Sequence, residues 1–91
     1  MQQISEEYLH FNKELGEIIK ELRLKKEKIS IYKFAAEFGI DRGNFSRIEN
    51  GIVSCKFVTV WKISEALNMK CSELVKILEE KLGDDFRLID E

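Results

Sequence analysis

The stretch SIYKFAAEFGIDRGNFSRIENG, residues 30–51, contains the signals for two short helices separated by a three-residue break. Ser30 belongs to the residue types that cap helix N-termini, and apolar residues follow it at helical spacing. Gly39 stands where a helix commonly ends in a left-handed residue, and Asp41 can cap the helix that follows. The sequence therefore predicts one helix over about 30–38 and a second over about 41–50.

The second helix of this pair has two different faces. Successive residues advance by about 100° around a helix, which places Phe45 and Ile48 on the same side. Polar, basic and small residues fall on the opposite arc, so one face is expected to anchor the helix and the other to meet a partner. A helix of this size with a polar, basic outer face fits the major groove of B-DNA. The outward arc comprises Arg42, Gly43, Ser46, Arg47 and Asn50.

This combination resembles the helix-turn-helix of the lambda-repressor-like DNA-binding family, the Cro/xenobiotic-response-element type. The resemblance covers about residues 13–78, and its combined pattern is specific although no single piece of it is. It implies an all-α, five-helix domain that binds double-stranded DNA. The matching segments are SIYKFA at 30–35, FGID at 38–41, FSRIENG at 45–51, LGEIIKELR at 15–23, TVWKISEAL at 59–67 and SEL at 72–74.

Apolar periodicity predicts three more helices outside this stretch. The first begins at Ser5, and the fourth and fifth cover about 57–68 and 72–82. The N-terminal segment ahead of the family's usual start either folds back on its own domain or packs against a second subunit. We expect an N-terminal helical extension at 1–12, the helix-turn-helix domain at 13–82 and an acidic C-terminal tail at 83–91.

The predicted fourth helix is rich in large apolar residues. Phe57 and Val60 share its expected core-facing side with Ile63 and Leu67. Trp61 lies at the edge of that side, where it either fills the core or, together with the fifth helix, forms a dimer surface.

The resemblance implies that the second helix of the pair reads bases. Arg42 lies in its first turn, and a guanidinium can grip guanine O6 and N7 together, a contact worth about 1–3 kcal/mol of discrimination. Arg47 could read a second base or a phosphate. Gly43 removes a side chain from a position that usually reads a base, so readout of DNA shape becomes more important. A glycine here also costs about 1 kcal/mol of helix stability relative to alanine. The expected base-contacting residues are Arg42, Gly43, Asn44, Ser46 and Arg47.

Phosphate contacts are expected on both sides of the groove. Such contacts carry no sequence information but fix the register of the protein on DNA. The family often has a glutamine where this chain has Ile31, so that contact must come from backbone N–H groups at the start of the first helix of the pair. The expected phosphate-contacting residues are Lys28, Ser30, Ile31, Lys33, Asn50, Ser54 and Lys56.

The resemblance also implies a structural ion pair between Arg23 and Glu49. In the family, an arginine of the first helix pairs with this glutamate and ties the recognition helix to the rest of the domain. A structural role fits Glu49 because an unpaired carboxylate beside a DNA phosphate would repel it.

The charge distribution bears on nucleic-acid binding. Fifteen basic and 17 acidic residues give a net charge of −2, which argues mildly against such a partner. However, residues 20–33 hold six basic against two acidic residues, a balance of +4, and residues 79–91 hold two basic against six acidic, a balance of −4. A basic DNA-facing side is therefore compatible with an acidic tail that points away. The alternative is that both clusters are merely solvated helix surface.

Other function classes find little support in the sequence. Cys55 and Cys71 lack companion zinc ligands and His10 is the only histidine, so we expect no metal or cofactor. We see no nucleophile beside a base and no glycine-rich phosphate loop, so catalysis is not indicated. Since no segment resembles a membrane span or a signal peptide, we expect a cytoplasmic protein that does not bind membranes.

The sequence thus predicts a repressor-like, sequence-specific regulator that binds two DNA half-sites as a homodimer. A prophage-type repressor, a restriction–modification controller and an antitoxin all fit so short a chain. The alternative is a protein-interaction module on the same fold, which binds a protein partner through the acidic tail or the fifth helix and reads little DNA.

Overall fold

The computed structural model describes residues 6–26 and 30–89 and confirms the all-α prediction, with five helices and no strand in either range. Every predicted helix end within these ranges lies within two residues of the observed one. No helix in the described ranges is long and apolar enough to cross a membrane. The helices are α1 (Glu6–Lys26), α2 (Ile31–Glu37), α3 (Arg42–Glu49), α4 (Phe57–Ala66) and α5 (Cys71–Leu82).

Side-chain caps start α2 and α3, as predicted. Ser30 Oγ accepts a hydrogen bond from the N–H of Lys33 at 3.2 Å, and Asp41 Oδ1 accepts one from the N–H of Asn44 at 2.8 Å. Each bond satisfies a backbone donor that the first turn of a helix leaves without an intrahelical partner. These two caps therefore fix where the short helices begin.

Gly39 makes the sharp turn between α2 and α3. Its φ of +67° lies in the left-handed region, which a residue without Cβ adopts at little cost. The N–H of Ile40 donates back to the carbonyl of Ala35 at 2.8 Å, the bond that characterises a Schellman motif. Ile40 is buried and fills the inside of the turn.

The same kind of ending recurs at α3 and α4. Gly51, with a φ of +71°, and Asn68, with a φ of +60°, occupy the left-handed position. The next residue, Ile52 or Met69, donates its N–H back into the last turn of the helix. Asn68 can take this role because asparagine, unlike most residues with a Cβ, tolerates the left-handed conformation.

The hydrophobic core joins all five helices. Phe34 of α2 and Phe45 of α3 are fully buried, with ring centroids 5.2 Å apart. Ile19 of α1 and Leu74 of α5 are also completely shielded from solvent. The complete cluster is Leu15, Ile18, Ile19, Phe34, Ala35, Ile40, Phe45, Ile48, Ile63, Ala66, Leu67, Leu74 and Leu78.

α1 crosses the end of α3 at very short range. A Cβ on Gly16 would lie 2.5 Å from the carbonyl oxygen of Glu49 and closer still to that of Ile48. A Cβ on Gly51, just after α3, would lie 2.6 Å from the Cα of Lys13. The two glycines therefore allow the C-terminal end of α3 to rest directly on the backbone of α1.

The start of α4 differs from the sequence expectation. Phe57 is 69% exposed, although its spacing placed it on the core-facing side. It is the first residue of the helix, and the fully buried part of α4 begins only at Ile63. Trp61 is 55% exposed, so the interpretation of this residue as core filler is wrong.

The segment after α5 lies against the first half of α1. α1 runs unbroken from Glu6 to Lys26, so the expected division between residues 12 and 13 has no break in the helix to mark it and stays a prediction. After Gly83 the chain turns back, and the Phe86 ring lies 5.9 Å from the His10 ring and 6.2 Å from the Phe11 ring. The acidic tail therefore rests against the N-terminal half of α1.

Candidate nucleic-acid interface

α3 is anchored on one face and open to solvent on the other. Phe45 and Ile48 are 0% and 3% exposed, whereas both arginines of the helix lie at the surface. This division matches the two faces predicted from the sequence. On the outward arc, Arg42, Arg47 and Asn50 are exposed, and Gly43 and Ser46 are half-buried. Asn44, beside this arc, is also exposed.

The Arg47 side chain runs back toward the start of α3. Side chains on a helix tilt toward its N-terminus, which brings residue 47 over residue 43. The two terminal nitrogens of Arg47 lie 3.7 and 3.8 Å from the point that a Cβ on Gly43 would occupy. The Asp41 Oδ1 atom lies 3.3 Å from the same point. The guanidinium of Arg47 therefore sits at the first turn of the helix, not at the last.

A buried ion pair holds the other end of α3. Arg23 Nε donates to Glu49 Oε2 at 2.8 Å, and Arg23 Nη2 donates to Glu49 Oε1 at 3.1 Å. The side chains are only 6% and 3% exposed. This is the pairing implied by the family resemblance, in the bidentate geometry that gives the strongest carboxylate contacts. It ties the last residue of α3 to α1.

The start of α2 and the start of α3 share an open cleft. Ser30, Lys33 and Arg42 line it, together with Ala36 and Ile40. The structure thus brings two expected phosphate-contacting residues next to an expected base-contacting one. Lys28 lies outside the described residues. Ile31 is the first residue of α2, so its backbone N–H belongs to the turn that has no intrahelical acceptor.

The remaining expected phosphate contacts lie at and beyond the end of α3. Asn50 Nδ2 is 3.5 Å from Ser46 Oγ, within reach of a weak hydrogen bond on the outward arc. Ser54 Oγ accepts a hydrogen bond from Asn12 Nδ2 of α1 at 3.2 Å, which fixes the loop after α3. Lys56 is exposed just before α4.

Sequence reasoning missed two lysines that hold the helix-turn-helix in place. Lys62 Nζ of α4 donates to the carbonyl of Gly39, in the turn itself, at 2.9 Å. Lys26 Nζ of α1 donates to the carbonyl of Ala66 at 2.5 Å and lies 5.4 Å from the centroid of the Phe38 ring. No local signal could have indicated either bond, because the partners are 23 and 40 residues apart in sequence.

Neither cysteine is among the expected DNA contacts. Cys71 is buried at the start of α5, and Cys55 is half-buried beside α4. Burial raises the pKa of the Cys55 thiol from its usual value of 9.0 to about 11, so the reactive thiolate is scarce at neutral pH. Within the described residues, no group of three or more His, Cys, Asp or Glu side chains could hold a metal ion.

Comparison with known proteins agrees with this geometry. A model of the helix-turn-helix family matches residues 19–74, which contain all of α2, α3 and α4. The chain is also 38% identical over 66 residues to the control protein C.MunI of Mycoplasma sp, and the alignment covers 72% of this chain and 89% of that relative. The chain therefore belongs to the lambda-repressor-like helix-turn-helix family and is a DNA-binding transcriptional regulator.

Proposed function

We propose that this regulator is repressor-like, recognises a specific sequence in double-stranded DNA, and inserts α3 into the major groove. The observation that carries the proposal is the anchoring of α3, whose buried face and Arg23–Glu49 pair leave the opposite, arginine-bearing face exposed. A guanidinium at the surface can donate two parallel hydrogen bonds to one guanine. In this proposal the base contacts come from Arg42, Gly43, Asn44, Ser46 and Arg47.

The phosphate contacts of this proposal flank α3 on two sides. Ser30 and Lys33 would meet one strand beside the shared cleft, with the backbone N–H of Ile31 at the N-terminus of α2. On the other side, Asn50, Ser54 and Lys56 would meet the opposite backbone. Lys28 completes the proposed set. In a plot of the logarithm of affinity against the logarithm of salt concentration, each phosphate neutralised by a basic side chain should make the negative slope steeper by about 0.9.

The test is selection of duplexes from a random-core library, followed by titration of the enriched duplex over a salt series. Arg42→Ala should relax the preference at one base position and cost about tenfold in affinity, the equivalent of one lost bidentate contact. Lys33→Ala should weaken all duplexes alike and lower the salt slope. Arg87→Ala, which removes an exposed arginine from the tail, is the matched control. Weak binding without sequence preference at low salt would favour the protein-interaction module instead.

We further propose that the protein acts as a homodimer. Three large apolar residues near the start of α4 are exposed: Phe57 by 69%, Val58 by 80% and Trp61 by 55%. Phe57 also lines a groove of about 340 Å³, together with Phe11 of α1. An apolar patch of this kind is typical of an interaction site, and a two-fold axis lets the same patch on two copies meet itself.

Trp61 offers a direct assay for this dimer because it is the only tryptophan of the chain. Its fluorescence emission should shift to the blue as protein concentration rises, in step with the mass measured by sedimentation. Val58→Glu should abolish both changes. Ile89→Glu changes an equally exposed apolar residue of the tail and should abolish neither. Trp61 emission that is independent of concentration in a dimeric protein would place the interface elsewhere.

The comparison also bears on the biological role. Among a prophage-type repressor, a restriction–modification controller and an antitoxin, likeness to a control protein favours the controller. We place this regulator in the cytoplasm, where its DNA would be, and assign it no catalytic activity. The exposed tail, with its surplus of carboxylates, is the place where a basic protein partner would bind if regulation requires one.

A further inference from the structure

One glycine of the binding surface has no backbone reason to be a glycine. Gly39, Gly51 and Gly83 have positive φ angles, and a Cβ on Gly16 would strike backbone oxygens. Gly43 has neither feature, because it lies within the regular helix α3. Glycine in a helix interior is unfavourable, so its presence here calls for another physical explanation.

The atoms nearest to the missing side chain supply that explanation. A Cβ on Gly43 would meet the N-cap carboxylate of Asp41 at 3.3 Å and the two terminal nitrogens of Arg47 at 3.7 and 3.8 Å. A methyl group would press on the Asp41 carboxylate, which would have to move by a few tenths of an ångström, and it would only just contact the guanidinium. A longer side chain that extends over the same part of the helix surface would compete with the guanidinium for its place. The guanidinium of Arg47 therefore lies in contact with the side-chain position that Gly43 leaves empty.

We propose that Gly43 is a positioning residue for DNA recognition, which sets base specificity by seating the guanidinium of Arg47 at the first turn of α3. With the guanidinium in that seat, Arg47 and Arg42 present their donors at the same end of the helix, although their Cα atoms are five residues apart. They would then read neighbouring base pairs, not two sites separated by the length of α3. This inference rests on the proposed insertion of α3 into the major groove.

A different function of Gly43 would predict different behaviour. If the glycine were needed only to let the backbone approach DNA closely, a single methyl group would already obstruct the contact, and the effect would not depend on Arg47. If Gly43 acts through Arg47, the effect should grow with side-chain length and disappear once the arginine is gone.

The test is a double-mutant cycle on a 30-base-pair duplex that carries the sequence enriched by the wild-type protein, with a one-base variant of that duplex as competitor. The measured quantity is the ratio of the affinity for the enriched duplex to the affinity for the one-base variant. We expect Gly43→Ala to lower this ratio about twofold and Gly43→Met to lower it more than tenfold. In the Arg47→Ala background, Gly43→Met should change the ratio less than twofold. Gly43→Gln serves as a second long side chain, and circular dichroism with a melting temperature verifies the fold of each variant.

The outcomes separate this inference from the proposed function. If the wild-type protein binds the enriched duplex selectively but the effects of Gly43→Met and Arg47→Ala simply multiply, the seating of Arg47 is refuted and DNA recognition by α3 stands. Equal losses for Gly43→Ala and Gly43→Met would refute it as well, since they indicate close backbone approach. If the wild-type protein shows no preference for any duplex, both the proposed function and the inference fail.

Discussion

Removal of one charge from the Arg23–Glu49 pair should be the most damaging single polar change in this protein. Glu49→Gln keeps the size of the side chain but removes the charge that Arg23 Nε and Nη2 bond, at a site where the Arg23 side chain is 6% exposed. Breaking a buried ion pair by removing one partner costs about 3–5 kcal/mol, because the remaining charge is buried and uncompensated. A domain of this size has a total stability of about 5–15 kcal/mol, so the loss is a large fraction of it.

Thermal unfolding measured by circular dichroism or calorimetry tests this prediction. For domains of 60–100 residues, 1 kcal/mol corresponds to about 4–8 °C in melting temperature, so Glu49→Gln should melt at least about 12 °C lower. The matched control is Glu17→Gln, since Glu17 makes a 3.4 Å ion pair with Lys81 while remaining 44% exposed. A pair so open to solvent is worth about 1 kcal/mol or less.

A double variant separates the cost of a stranded charge from the worth of the pair. Arg23→Met combined with Glu49→Leu removes both charges and fills the site with apolar groups of similar volume, so it should be more stable than Glu49→Gln alone. The reasoning is refuted if Glu49→Gln and Glu17→Gln lower the melting temperature equally. It is also refuted if the double variant loses as much stability as Arg23→Met and Glu49→Leu lose when they are measured separately and added. Either result would mean that the buried charge of Arg23 does not make the loss of the Glu49 charge costly.

Four further predictions concern two glycines and a cysteine. Gly16→Ala should lower stability by about 1–3 kcal/mol in denaturant titrations, because the new methyl group would lie 2.5 Å from the Glu49 carbonyl oxygen. Gly43→Ala should raise stability by up to about 1 kcal/mol in the same titrations, because the helix gains propensity and Asp41 Oδ1, 3.3 Å from the new Cβ, needs to move by only a few tenths of an ångström. Alkylation of Cys55 by iodoacetamide at pH 8 should be slower than that of a free cysteine by a factor on the order of 100, and it should speed up about tenfold per pH unit. Because the folded-state pKa of Cys55 is about 11 against a usual 9.0, its contribution to stability is present below pH 9.0 and is lost toward pH 11. The melting temperature should therefore fall over that range in the wild-type protein and fall less in Cys55→Ser.

The helix-turn-helix was predictable from the sequence because its signals act over a few residues. The caps at Ser30 and Asp41 bond to N–H groups three residues later, and Gly39 provides its own left-handed conformation. Periodicity likewise indicated which side of α3 is buried, because Phe45 and Ile48 lie on the same side of any regular helix. Nothing in these inferences required knowledge of what the helix packs against.

The contacts that the sequence did not predict depend on the tertiary arrangement. Lys62 is one of several exposed lysines, and only the fold brings its amine to the Gly39 carbonyl. Periodicity placed Phe57 on a common face with Ile63, but it cannot tell how far along that face a neighbouring helix extends. The seat of Arg47 beside Gly43 depends on a side-chain rotamer, which spacing alone does not determine.

The location of the tail explains how an acidic chain can still present a basic surface to DNA. Phe86 packs against Phe11 on α1, whereas the end of α3 rests on Gly16 and Lys13. At 100° per residue, Gly16 and Lys13 lie about 140° and 200° around α1 from Phe11, so α1 separates the tail from α3. A helix with its side chains is about 10 Å wide, and charges at physiological salt are screened over about 8 Å. The carboxylates of Asp84 and Asp85 therefore contribute to the net charge of −2 while adding little repulsion at the surface of α3 that we propose faces DNA.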